Sequence, residues 1–250
     1  APPSPFADAP ALAAQVAANN TGIIEINSMI EQFGIETVHS YMNHVQDNAE
    51  ECIRNAIVNL REGKYEYELD NGEFIRVKIT IDKIKREATI DFAGTAPKNP
   101  FNYNAPMAVC HAVILYVFRT LVGSNIPLNE GCFKPLNIII PNNAMINAKY
   151  PSAVIAGNTE VSQLTCNALF GALGIIAGSQ ATMNNFIWGN DKIQNYETIC
   201  GGTGAGPNFH GTSAVQTHMT NTRSTDPEIL EARFPVRLEE YSIRKNSGGK

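Results

Sequence analysis

The chain has 250 residues, 44% of them hydrophobic and only 17% charged, with a formal net charge of −5. That balance supports one large core or two modest ones and excludes a disordered chain. No run of Lys or Arg marks a nucleic-acid footprint. Five widely spaced cysteines without a CxxC or Cys/His cluster provide neither a disulfide framework nor a zinc ribbon, so reduced thiols in a cytoplasmic protein are expected.

The Pro-rich lead Ala1–Pro10 lacks the apolar stretch of a signal peptide. Asp8 is placed to cap a first helix in which Leu12, Val16, Ile23, Ile26, Ile30 and Phe33 recur at three- and four-residue steps until Gly34. A second pattern follows through Val38, Met42, Val45, Ala49, Cys52, Ala56 and Leu60 and stops at Gly63. Two amphipathic helices with a short break predict a helical hairpin over residues 1–63.

The period then changes from 3.6 to 2. Tyr65–Leu69, Ile75–Ile81 and Ala88–Phe92 alternate apolar and polar residues, with Asp70-Asn71-Gly72 as a tight turn, which predicts an antiparallel β-meander over 64–95. Ala105 to Val122 reaches the lower length limit for a membrane span, but Pro106 and Arg119 near its ends favour a buried core helix. A short strand is expected near 136–140 and a helix from Asn158 to Ala177. The last third is rich in Gly, Asn and Thr, and its low charge argues against disorder. The expected fold class is α+β, with 96–250 a mixed region of helices and short strands; one domain or two is left open.

Several familiar motifs fail. Cys200–Gly206 is Gly-rich, but Pro207 breaks the GxGxxG spacing and no Walker lysine follows; a plain turn is favoured over an anion nest. His39 and His44 are five apart and read as surface residues, and His111 reads as a core histidine. Four polar stretches stand in apolar surroundings: 156–163, 179–185, 196–202 and 217–223. In the first, Asn158 could cap a helix with Glu160 in its first turn. So many polar groups within about seventy residues point to a site, because buried polar groups are costly unless satisfied.

These stretches, with Asp91–Thr95, Asn104-Ala105-Pro106, Ile126–Cys132, Arg233–Arg237 and the terminal Ser247-Gly248-Gly249, resemble the hydantoinase B / 5-oxoprolinase family over nearly the whole chain. The resemblance implies ATP-dependent opening of a small cyclic amide, such as 5-oxoproline to glutamate or a hydantoin to an N-carbamoyl amino acid. It implies a hydantoinase A-type ATPase domain or subunit that uses ATP and Mg2+ to activate the ring carbonyl, and an oligomeric assembly. The chain resembles a portion of a B-type polypeptide, inactive alone, with any divalent metal bound outside it; no metal ligands are assigned here. Related acetone and acetophenone carboxylases use similar chains, which leaves a carboxylase subunit as an alternative, and a scaffold docking the ATPase as another.

Chemistry, rather than the resemblance, assigns the roles. Glu160 or Glu197 is the candidate general base and His218 the candidate proton donor. Asn158, Asn221 and Arg223 are candidates to hold the substrate's carbonyl and carboxylate groups.

Overall fold

Residues 9–246 are described by a computed structural model; the capping position of Asp8 and the Ser247-Gly248-Gly249 motif lie outside them. Helices α1 (Ala9–Phe33) and α2 (Ile35–Ile57) meet at Gly34, as the periodicity predicts. Gly34 has φ 81, a region that costs glycine nothing. The stripe of α2 enters the core through Ala49, Ile53 and Ile57, which are fully buried. Along α1 the expected apolar positions Leu12, Val16, Ile23, Ile26 and Phe33 remain exposed and Ile30 is half-buried, so most of the stripe is open.

The meander forms as expected. Strands β1 (Gly63–Glu68), β2 (Phe74–Asp82) and β3 (Glu87–Asp91) are antiparallel, with Tyr65 opposite Val77 and Ile79 opposite Ile90. Strand β4 (Leu136–Ile139) then joins β3 in parallel, giving the order β1-β2-β3-β4. Alternation places Ile75, Val77, Ile79, Ala88 and Ile90 on the buried face.

Helix α3 (Met107–Thr120) is the core helix expected from the apolar segment, burying Cys110, Val113, Ile114, Val117 and Phe118. Among the described residues no helix is long and apolar enough to cross a membrane. Helix α4 (Ser162–Leu173) lies between β1–β2 and α3, and every residue from Ser162 to Phe170 is buried. The close approach of β1 depends on Gly63, where a Cβ would stand 1.9 Å from the Ala172 carbonyl oxygen. Gly174, at φ 65, ends α4 four residues before the expected Ala177 boundary, because a left-handed residue releases the last helical carbonyls to a C-cap.

Three elements carry no expectation from the sequence. Strands β5 (Asn184–Gly189) and β6 (Gln194–Ile199) form an antiparallel ribbon inside the region expected to be irregular. It turns at Asn190, whose Oδ1 accepts the amides of Lys192 and Ile193 at 2.9 and 3.1 Å. Helix α5 (Pro227–Arg233) is capped by Asp226, which accepts the Glu228 amide at 2.9 Å, with proline at its start.

One buried carboxamide ties the segment between β3 and α3 to the segment before α4. Asn104 is completely buried; its Nδ2 reaches the carbonyls of Phe101 at 2.8 Å and Ala153 at 3.0 Å, and its Oδ1 accepts the Asn99 amide at 2.9 Å. Asn104→Ala strands these partners without water. We expect a loss on the order of 2–3 kcal/mol, as for buried hydrogen-bonding groups left unpaired, measured as a lower urea midpoint of the purified protein with an unchanged slope.

Candidate active-site cleft

The segment 157–161 adopts a single π-helical turn before α4. Such turns insert an extra residue into a helix and occur often at functional sites. It seats tightly on the Asn104–Ala105 backbone: a Cβ at Gly157 would lie 2.9 Å from the Asn104 carbonyl oxygen. Asn158 therefore lies within the helical turn rather than at its cap; its side chain is exposed and its carbonyl accepts the Ser162 hydroxyl at 2.8 Å.

Glu160 stands on this turn, half-buried, and accepts a hydrogen bond from the Thr182 hydroxyl at 2.6 Å. Burial raises its carboxyl above the usual glutamate range, the Thr182 bond opposes that, and the Asp70 carboxylate adds to it. The carboxylate borders a cleft of about 550 Å³ lined also by Tyr67, Asp70, Asn71, Tyr103, Gln180 and Thr182. A half-desolvated carboxylate facing a cavity of this size is equipped to accept a proton from a bound water or substrate.

The other candidates stand elsewhere. Asn221 and Arg223 are exposed and line a second cleft of about 490 Å³ together with Cys200, Gln216, Thr222 and Tyr241. Glu197, on β6, borders neither cleft and accepts the Thr225 amide at 2.9 Å, so its carboxylate secures the strand to the chain before α5. His218 packs between the rings of Phe170 and Tyr116, at centroid distances of 5.3 and 5.9 Å, in a left-handed conformation with φ 55. Its Nδ1 lies 3.4 Å from the Tyr116 hydroxyl and its Nε2 is buried without a partner. Burial lowers its pKa to about 4, so the ring is neutral near pH 7 and holds no imidazolium proton to deliver. The expected proton-donor role thus has no charged form behind it at this position.

Gln163, one helical turn beyond Glu160, ends the polar stretch 156–163 and is not among the candidates that the sequence offers. Its buried Nε2 donates to the Thr220 hydroxyl at 2.5 Å and reaches the Thr217 carbonyl at 3.4 Å, and its Oε1 lies 3.4 Å from the Met219 amide. It is the link between the helix that bears Glu160 and the strap that bears His218, Asn221 and Arg223. The Gly-rich stretch behaves as a turn: the amides of Gly202, Thr203 and Gly206 bond to Val215, Thr212 and Phe209 carbonyls, which leaves them unavailable to a phosphate. Among the described residues no three His, Cys, Asp or Glu side chains converge on a metal position.

Two outcomes follow from this geometry. Gln163→Leu keeps the volume but removes the bonds, and we expect faster amide exchange at Met219 and its neighbours while α4 stays protected. His218 has a folded pKa near 4 against an ordinary 6.5, so the unfolded chain binds the extra proton between those values. Its contribution to stability is present above pH 6.5 and is lost as pH falls toward 4. His218→Phe should flatten that part of the acid limb when thermal midpoints are recorded from pH 7 to pH 4.

Residues 8–250 match the hydantoinase B/oxoprolinase family. The chain is 45% identical to 5-oxoprolinase 1 of Arabidopsis thaliana and 42% identical to 5-oxoprolinase of Dictyostelium discoideum, in each case over 95% of this chain and 20% of the relative. It thus spans about a fifth of the length of these relatives. Among solved structures, the ATP-dependent caprolactamase from Pseudomonas jessenii shares the fold with a TM-score of 0.75 at 21% identity, over 92% of this chain and 44% of that one. With the family matched from end to end of the fold described above, this chain belongs to the hydantoinase B/oxoprolinase family.

Proposed function

We propose that this chain is part of an ATP-dependent hydrolase of cyclic amides, with 5-oxo-L-proline as substrate and L-glutamate as product. The observation that carries the reading is Glu160, a half-buried carboxylate with a raised pKa on a π turn above a cleft large enough for a small ring. Its identity to two 5-oxoprolinases supports the choice of substrate. The caprolactamase with the same fold supports the wider class of ring amides.

An unactivated amide is a poor electrophile. ATP, held with Mg2+ by a hydantoinase A-type partner, supplies the phosphoryl group that activates the ring carbonyl oxygen. Glu160 takes a proton from the water that adds to the activated carbon. It returns that proton to the ring nitrogen as the carbon–nitrogen bond breaks, which leaves an acyl phosphate; a second water then cleaves this to the carboxylate and inorganic phosphate. A carboxyl group whose pKa is raised above the usual glutamate range is a stronger base than an ordinary carboxylate, which suits it to take up a proton and then return it. Thr182, donating to Oε1, orients the carboxylate. Arg223, which forms no ion pair among the described residues, and Asn221 line the second cleft, apart from the one that Glu160 borders. Asn158 is exposed on the same turn as Glu160 and is our candidate to meet a carbonyl group of the substrate.

The test is glutamate formation from 5-oxo-L-proline by the complete polypeptide with its ATPase partner. Product that depends on ATP is expected; intact ATPase activity without product would overturn the substrate assignment. In the same assay Glu160→Gln should lower kcat by about 10²-fold or more, the scale of general-base catalysis, with the fold retained. Glu197→Gln should leave kcat close to the parent.

A further inference from the structure

The largest unexplained feature of the molecule is the arm formed by α1 and the first half of α2. Helix α1 has 25 residues, which makes it about 37 Å long at 1.5 Å per residue. Leu12, Val16, Ile23, Ile26, Met29 and Phe33 are between 40% and 61% exposed along it. Most helical stability in proteins comes from packing an apolar stripe, and most of this stripe is uncovered among the described residues.

The stripe of α2 shows what kind of surface this is. Met42 and Val45 are 43% and 40% exposed, yet the same stripe continues into Ala49, Ile53 and Ile57, which are completely buried. The exposed part is therefore the open end of the core itself. Interfaces that resemble a core cut in half belong to permanent partners rather than to encounters between separate proteins.

Charge narrows the occupant further. Between Ala9 and Phe33 the only charged side chains are Glu25 and Glu31, and no cation is present. The arm lacks the complementary charges that steer and orient separate molecules, and pairing it with its own copy would add carboxylates of one sign. Chain length provides the remaining argument. This fold occupies 44% of the caprolactamase chain, so more than half of that polypeptide lies outside it.

We infer that the apolar face of α1 and of the N-terminal half of α2 is the seat of a further part of the same B-type polypeptide, which closes the core in cis. The occupant is neither the ATPase partner nor a second copy of the chain. This inference is independent of the reaction proposed above.

The experiment is photo-crosslinking in the complete polypeptide, with Phe33 and Tyr41 each replaced by p-benzoylphenylalanine. An equal mixture of light and heavy isotope-labelled protein is used, with and without the ATPase partner. The expected result is a crosslink at monomer mass, within one isotope label, to B-type sequence outside these 250 residues, and the same with or without the partner. Crosslinks into ATPase sequence, or between light and heavy copies, would overturn the inference. Amide exchange of residues 12–33 in the unmodified polypeptide provides a second reading that needs no substitution. It should be slowed on the order of a hundredfold or more relative to an unprotected helix, at high and low protein concentration alike. Fast exchange with no crosslinks would show an open face and also overturn it.

Discussion

A helix buried on every side cannot leave its polar side chains unpaired, and α4 is such a helix. Its four buried polar residues resolve this in two ways. Ser162 and Thr165 turn back to the carbonyls one turn behind, at 2.8 and 2.7 Å. Gln163 and Asn167 carry carboxamides that cannot be satisfied within the helix, so each reaches a loop. Asn167 bonds the amide, hydroxyl and carbonyl of Ser179, and Gln163 bonds the strap at 217–220. The Gly/Asn/Thr-rich third of the chain is ordered by these bonds more than by regular structure, and its low charge is the other face of the same fact.

The position of Glu160 depends on the helix beginning one residue out of α register. In a regular helix from Gly157, the side chains of the first turn would rotate relative to those of α4. The π turn holds them in a different direction, and Gly157 lets it press against Asn104 and Ala105. The Asn-Ala-Pro motif thus supports the candidate base without touching it. The contrast with Glu197 is instructive. Both are half-buried glutamates, but Glu197 gives its carboxylate to the Thr225 amide, whereas Glu160 keeps its own bordering a cavity and bonded to a single hydroxyl.

Legibility in the sequence followed the strength of each physical signal. Strand β2 alternates over a full nine residues, so the meander and its buried face could be read directly. The parallel pairing of β4 with β3 could not, because pairing partners leave no periodic mark. The ribbon of β5 and β6 is largely exposed on both faces, so no alternation distinguishes it from loop. Helix α5 did carry a signal, Asp226-Pro227-Glu228, with a cap, a proline at the first position and an acidic first turn. At the site, Glu160 was legible as a carboxylate at a helix start, but the π turn beneath it has no compositional signature. Gln163 was hidden because a glutamine reads as surface until its burial is known. His218 was conspicuous for its polar neighbours, and only the packing of Tyr116 and Phe170 reveals that the ring is neutral.

Glu160 and Gln163 are three residues apart, so they lie on adjacent turns of one rigid element. The first faces one cleft, and the second holds the strap that enters the other. Because α4 is packed against the sheet and α3 at once, it transmits displacement rather than absorbing it. The two clefts share no lining residue, and Gln163 ties the helix beside one of them to the strap that lines the other.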